Sequence, residues 1–261
     1  MSLLVDCHTH INDFPPLEIP SVIERAYSEG VGIIISAGTT LQSSQACVEL
    51  SRAHNQVYCG VGLHPMNLAG PIDRKTYHNL EKLVVENPKV VCISEIGLDF
   101  LPTSPKHEYQ YQAFKNQIQL AKDLNKPIIL HSRESNPEVI EMLRQENANQ
   151  VGGVFHYFQG DLNTAKASIE LGFYISFAKP LLRLPWLQEV AKKVPLEQIV
   201  VETDSAPQPW KKYRKNWTEP SHLPLVVSKL AELKEISVEQ VISQTTYNIS
   251  KLLNLDLPKL P

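Results

Sequence analysis

The sequence predicts an α/β chain folded as a (β/α)8 barrel of the TIM type, with a metal site at the C-terminal face of the strands. Three observations predict it. Eight short β-branched runs alternate with longer amphipathic segments along 261 residues, the length and rhythm of such a barrel. The runs are nearly continuous in apolar residues, as parallel strands covered on both faces must be. Histidines and carboxylates recur at or just past the ends of these runs, on the face where barrels carry their chemistry. An open doubly wound sheet is the competing architecture, because it repeats the same unit.

The first run, LLVDCH at 3–8, leads into CHTH. Alternate strand residues share a face, so His8 and His10 can both point at the barrel axis. The second run is VGIIISAG at 31–38, and the third, VYCGVGL at 57–63, is followed by His64 in GLHP. The fourth, VVCISEIG at 90–97, contains Glu95 and leads to Asp99. The segment HEYQYQAFKNQIQLAKDLN at 107–125 places Tyr111, Phe114, Ile118, Ala121 and Leu124 at steps of three and four, one apolar helical stripe. The fifth run, PIILHS at 127–132, brings His131 with Arg133 just beyond, and the sixth, VGGVFHYF at 151–158, carries His156. FYISFA at 173–178 is the seventh, and QIVVETD at 198–204 ends in Asp204, with Glu202 on the same strand face. A proline-rich, charged loop then precedes two helices expected near 222–235 and 238–253. No linker or compositional break divides the chain, so residues 1–261 read as one domain.

A hydrophobic content of 43% suffices for one large core, and a net charge of -3 excludes a generally basic nucleic-acid-coating protein while leaving room for a local basic patch. Cys7, Cys47, Cys59 and Cys92 are widely spaced with no CxxC pair, the pattern of reduced, buried thiols rather than a disulfide framework. Neither a signal-type apolar run nor a membrane-length segment is seen, so the expectation is a cytoplasmic protein with no membrane contact, and a monomer.

The candidate ligands are His8, His10, Glu95, His131, His156 and Asp204. Four imidazoles and two carboxylates are enough for two divalent ions if one carboxylate bridges them. Such a pair would activate a water for hydrolysis and neutralise charge building on a phosphoryl or carbonyl oxygen. The chain has no GxxxxGK[ST] phosphate loop, no GxSxG elbow, no HExxH helix and no GxGxxG turn, which disfavours a serine nucleophile and nicotinamide chemistry.

CHTH, GVGLHP (60–65), SEIGLDF (94–100), ILHSRES (129–135), HYFQG (156–160) and ETDSAP (202–207) resemble, in order and spacing, the successive signatures of the TatD family of metal-dependent hydrolases. The resemblance implies a TIM-like barrel with a divalent metal centre and a deoxyribonuclease activity, 3′ to 5′ exonucleolytic on single strands. Carried over residue by residue, it puts His8, His10, Glu95 and Asp204 around one ion, with Glu95 bridging to a second held by His131 and His156. Three places depart from the family pattern: Tyr157 stands where a cysteine is usual, ETDSAP has an extra residue before its proline, and the usual RNEP stretch is lengthened to RKNWTEP (214–220). The last two flank the mouth of the site and bear on substrate preference.

Glu95 and Asp204 are thus the catalytic candidates, Asp204 either as general base or as ligand alone. His64 and Arg133 are candidate substrate-binding donors that could grip a phosphate, or else hydrogen-bond a ligand carboxylate. Asp99 either orients a histidine or caps the next turn, and Glu202 either supports the site or makes a buried structural bond. The segment PWKKYRKNW at 209–217 interleaves Lys211, Lys212, Arg214 and Lys215 with Trp210, Tyr213 and Trp217, either a groove for single-stranded nucleic acid or a loop packed on the barrel. The residues leave open Zn²⁺, Mn²⁺, Co²⁺, Ni²⁺ or Mg²⁺, and leave open a carboxylic ester or amide, including an aminoacyl-tRNA ester or a small molecule, in place of a phosphodiester.

Overall fold

Eight strands form one parallel sheet in sequence order: β1 (Leu4–Thr9), β2 (Val31–Ala37), β3 (Val57–Val61), β4 (Val90–Asp99), β5 (Ile128–Arg133), β6 (Gly153–Phe155), β7 (Phe173–Phe177) and β8 (Ile199–Val201). The structure, a computed structural model, describes residues 3–255. Just past β8 the chain returns to β1: Ser205 bridges Thr9, the His10 N–H donates to the Ser205 carbonyl at 2.7 Å, and the Asp204 N–H donates to the His8 carbonyl at 3.1 Å. Sequential order and this closure make a barrel and exclude the open sheet. The seam is sewn by the residues on which the site depends.

The strands are β-branched, and successive residues serve different layers, as the two-residue period requires. Val5, Ile33, Ile129, Val154 and Val200 pack inside the barrel, while their neighbours Leu4, Ile34, Ile128, Phe155 and Ile199 pack outward in the larger core under the helices. The helices are α1 (Ile19–Ser28), α2 (Leu41–Ala53), α3 (Arg74–Glu86), α4 (His107–Asp123), α5 (Asn136–Gln145), α6 (Leu162–Glu170), α7 (Pro185–Lys193), α8 (Leu223–Lys234) and α9 (Val238–Leu253). Ile249 and Leu253 of α9 join the inner cluster, Thr246 Oγ1 donates to the Leu3 carbonyl, and Asn248 Nδ2 donates to the carbonyls of Leu196 and Ile199. The last helix therefore plugs the N-terminal end of the barrel, which leaves the opposite end as the mouth.

The stripe expected on α4 is present, with Phe114, Ile118 and Ala121 buried, and it includes two buried amides. Gln110 accepts from the Asp99 N–H at 2.8 Å and donates to the Asp99 carbonyl; Gln117 does the same for Leu63, at 2.7 and 3.1 Å. Each amide satisfies backbone at the C-terminal end of a strand, where no ladder partner remains. Gly97 is required beside them: its φ is +151°, and a Cβ there would lie 1.9 Å from the His131 carbonyl oxygen.

β6 and β8 are much shorter than the sequence suggests, three residues each. β6 stops at Phe155 and β8 at Val201, so His156, Glu202 and Asp204 stand past the strand ends rather than on them. Tyr157 (φ 46°) and Asp204 (φ 50°) have left-handed backbone, which ends extended pairing. All four cysteines are buried and free. Among the described residues no helix is long and apolar enough to cross a membrane.

Candidate metal centre

The six candidate ligands converge at the mouth around Glu95, which is almost wholly buried. Its Oε2 lies 3.4 Å from both His8 Nε2 and His10 Nε2, and those nitrogens are 3.3 Å apart. Asp204 Oδ1 completes this group at 3.5 Å from His10 and 3.8 Å from His8. The other carboxylate oxygen, Oε1, faces His131 Nδ1 at 2.8 Å and His156 Nε2 at 2.9 Å. A tetrahedral ion with bonds of about 2.1 Å has ligand-to-ligand edges of about 3.4 Å. His8, His10 and Glu95 Oε2 are already spaced as such edges, the separation that a shared divalent ion requires of its donors.

The outer ring nitrogens of three of the four histidines are held by oxygens. His10 Nδ1 donates to the Ala37 carbonyl at 3.1 Å, His131 Nε2 to Asp99 Oδ2 at 3.0 Å, and His156 Nδ1 to Glu202 Oε1 at 3.0 Å. An imidazole whose outer N–H is held by an oxygen turns a bare lone pair inward, the state that binds a metal. His8 is the exception, its buried Nδ1 having no hydrogen-bond partner. Asp99 thus does both things the sequence left open: Oδ2 orients His131, and Oδ1 accepts from the Leu101 N–H and Ser104 Oγ. Glu202 supports the site as well, accepting from His156 and the Tyr157 N–H on Oε1 and from Ser176 Oγ on Oε2.

The electrostatics match a site built for cations. Burial pushes Glu95 up, but His156, His64 and His8 outweigh it and hold its carboxyl well below the usual range. Burial likewise opposes ionised Asp204, yet the His10 hydrogen bond and the charges of His156 and His10 hold it low. Burial works against charged His10, while Asp204 and Glu95 prevail and raise it to about 10. His131 and His156 are also raised, burial being overcome by Asp99 and Glu95 for one and by Glu95 and Glu202 for the other. Burial lowers His8, helped by His156. Positive charge is therefore drawn into a box of carboxylates, the demand that a divalent ion meets.

The expected substrate-binding residues separate. His64 lies deep, with Nε2 3.5 Å from Glu95 Oε1, and burial lowers its pKa. Arg133 is at the rim, its side chain half-exposed and one guanidinium nitrogen 3.8 Å from Asp99. Both line a cavity of about 580 Å³ that reaches Glu95, as does Tyr157. Trp186, which the sequence did not single out, lines it too.

The basic loop at 209–217 lines none of this cavity. Arg214 is taken up structurally: Nε binds Glu18 at 2.7 Å, a terminal nitrogen binds Glu219 at 2.9 Å, and the guanidinium stacks 4.4 Å from the Trp217 ring centroid. Trp217 packs on the core. Lys212 and Lys215 hover over the Tyr213 ring, and Trp210 is exposed. The loop is half anchor and half free basic surface.

A closed parallel barrel with a histidine and carboxylate cluster at its mouth defines the class of TIM-barrel metal-dependent hydrolases. The chain belongs to the TatD family: the family model described as TatD related DNase matches residues 5–254. It is 33% identical over 264 residues to the uncharacterized metal-dependent hydrolase YabD of Bacillus subtilis, covering 97% of this chain and 100% of that one. It is 34% identical over 271 residues to human deoxyribonuclease TATDN3, covering 98% and 95% of the two chains. The crystal structure of YJJV, a TatD homologue from Escherichia coli, superposes with a TM-score of 0.87 at 27% identity, over 97% of this chain and 98% of that one. The protein is accordingly a metal-dependent hydrolase.

Proposed function

We propose that the chain is a two-metal deoxyribonuclease that shortens single-stranded DNA from its 3′ end. One observation carries the reading: Glu95 offers Oε2 to His8 and His10 and Oε1 to His131 and His156, a single carboxylate between two donor sets. Asp204 joins the first set. Two divalent ions held by these residues would supply Lewis acidity toward phosphate oxygens and a water acidic enough to attack near neutral pH.

The rest falls to the protein's own side chains. Asp204, at the mouth beside His8 and His10, accepts the proton of the attacking water. The new P–O bond forms as the bond from phosphorus to the 3′ oxygen breaks, so a 5′-mononucleotide leaves and the shortened strand keeps a 3′ hydroxyl. His64 donates Nε2–H to a non-bridging phosphate oxygen, and Arg133 at the rim grips a phosphate with its planar fork. The histidine-rich donor set favours Zn²⁺, Mn²⁺, Co²⁺ or Ni²⁺ over Mg²⁺, which prefers oxygen and water. The names of the family model and of TATDN3 support DNA as the substrate class.

The test is cleavage of 5′-labelled and 3′-labelled single-stranded oligonucleotides by protein loaded with Mn²⁺, with EDTA and Asp204→Asn as controls. Metal-dependent release of mononucleotide from the 3′ end, lost in the variant, is expected. Intact oligonucleotides with metal-loaded protein, together with hydrolysis of a carboxylic ester or amide, would overturn the nuclease reading and keep the hydrolase.

A further inference from the structure

The cavity over the metal centre is lopsided. Its walls come from the segments after β5, β6 and β7, with Arg133, Asn136, Tyr157, Gln159 and Trp186 among them. Beyond Asp204 itself, the segment after β8 contributes only Ala206, and the basic loop at 209–217 contributes nothing. With His10 and His64 on the floor, the side chains available to a substrate with a phosphate at Glu95 and Asp204 lie mostly in the β5 to β7 sector.

Trp186 is the feature of that sector without a structural use. It is the second residue of α7, whose Leu187, Val190 and Ala191 are buried, yet the indole is 47% exposed. The cavity that it lines also holds groups that handle a charged, polar ligand: Arg133, half-exposed, with Asn136 and Gln159. Three non-glycine residues lining the cavity, Glu134, Tyr157 and Asp204, have left-handed backbone at φ 53°, 46° and 50°. Strain of that kind persists where the fold holds a loop in place for a ligand. An aromatic face and a guanidinium lining one cavity can take a base and a phosphate of the same strand, because every base has a π-face and the planar fork fits phosphate.

We infer that Trp186 is the stacking platform for the unpaired base adjoining the scissile phosphate, with Arg133 on a neighbouring phosphate. The inference rests on the nuclease reading and deepens it, placing the nucleoside subsite after β7 rather than on the loop after β8.

The test compares wild type, Trp186→Ala and Trp186→Phe, each loaded with Mn²⁺, on a pentathymidylate and on an abasic pentamer with the same backbone. Binding of the fluorescein-labelled pentamers is followed by anisotropy alongside cleavage. Truncation of a stacked aromatic weakens binding about five- to hundredfold. We therefore expect Trp186→Ala to raise the Kd and lower kcat/KM by such a factor on pentathymidylate alone, with Trp186→Phe close to wild type on both pentamers. Equal losses on the abasic pentamer, or no loss on pentathymidylate, would overturn the stacking role and leave the nuclease standing. Wild type that neither binds nor cleaves pentathymidylate would overturn both. Melting temperatures of the two variants within a few degrees of wild type tie any loss to the subsite rather than to folding.

Discussion

The backbone N–H of Met66 donates to Nδ1 of His64 at 3.1 Å, so the ring carries its proton on Nε2, the nitrogen that faces Glu95. His10, His131 and His156 have the opposite arrangement: their outer nitrogens face oxygens that hold the N–H there, so the inner ones are the nitrogens a metal would take in place of a proton. A neutral imidazole has one donor and one acceptor, and a bound metal needs the acceptor. His64 lies as close to Glu95 as several of the candidate ligands, yet its tautomer makes it a donor. Loss of a donor aimed at developing charge costs about 10²–10³ in kcat. His64→Ala should show that fall with its metal content unchanged, whereas His10→Ala should lose metal. Metal analysis of the purified variants checks this, and metal missing from His64→Ala would make the residue a ligand.

Asp99 and Glu202 hold His131 and His156 through carboxylate to imidazole hydrogen bonds of 3.0 Å. Such partners fix ring orientation and raise ligand basicity, and their loss costs roughly 10–100-fold in metal affinity. Asp99→Asn and Glu202→Gln should each weaken metal binding by that factor. Both oxygens of each carboxylate accept hydrogen bonds in the folded protein, so either amide variant turns an N–H against one set of donors. Competition with a fluorescent chelator measures it. Affinities equal to wild type would reduce both carboxylates to structural roles.

Glu219 binds Arg25 through two hydrogen bonds of 2.8 and 2.9 Å and Arg214 through a third of 2.9 Å. Burial raises its pKa, but Arg25 and Arg214 outweigh this and hold it below the ordinary carboxylate range. A carboxyl whose folded pKa is depressed adds stability that is complete above the unfolded value, about 4.3, and is lost as pH falls through the folded value. Glu219→Gln should therefore cost about 1–2 kcal/mol at pH 7, the half-exposed Arg25 keeping the figure modest. The gap between variant and wild type should begin to narrow as pH falls below about 4.3. Urea midpoints of chelator-treated proteins at pH 7 and pH 3 test it. A gap undiminished at pH 3 would mean packing, not charge, is responsible.

The six candidate ligands could be picked out because each lies near the end of an apolar run, a local property of the sequence. His8 and His10 share a face by the two-residue period alone, Glu95, His131 and His156 lie in the last part of a run, and Asp204 ends one. The division of ligands between two ions came only with the family resemblance. Gln110 and Gln117 could have been found: with Phe114 and Ala121 they continue the α4 stripe at steps of four, three and four, and a polar residue in such a stripe asks for a partner. Trp186 could not, since its exposure depends on where α7 docks. Nor could the split within the basic loop, because Arg214 is neutralised by Glu18, which lies 196 residues away and meets it only in the folded chain.

That split yields the last prediction. Lys212 and Lys215 stand over the Tyr213 ring, and Lys211 is tied only to the Asn216 carbonyl, so their charges face solvent near the mouth without lining the cavity. Charges so placed attract a polyanion at long range. Each phosphate that a removed lysine no longer neutralises should lower the slope of log affinity against log salt by about 0.7 for single strands. Replacing Lys211, Lys212 and Lys215 together by glutamine should thus raise KM for an oligonucleotide and flatten its salt dependence, with kcat unchanged. Arg214→Gln should behave differently, because Glu18 loses its arginine partner, Glu219 is left with Arg25 alone and Trp217 loses its stacking group. Its chief effect should be a lower melting temperature, with a salt slope near that of wild type. A triple lysine variant that loses kcat would bring the loop into the reaction, and an Arg214→Gln variant with unchanged stability but a reduced salt slope would return that arginine to the nucleic-acid surface.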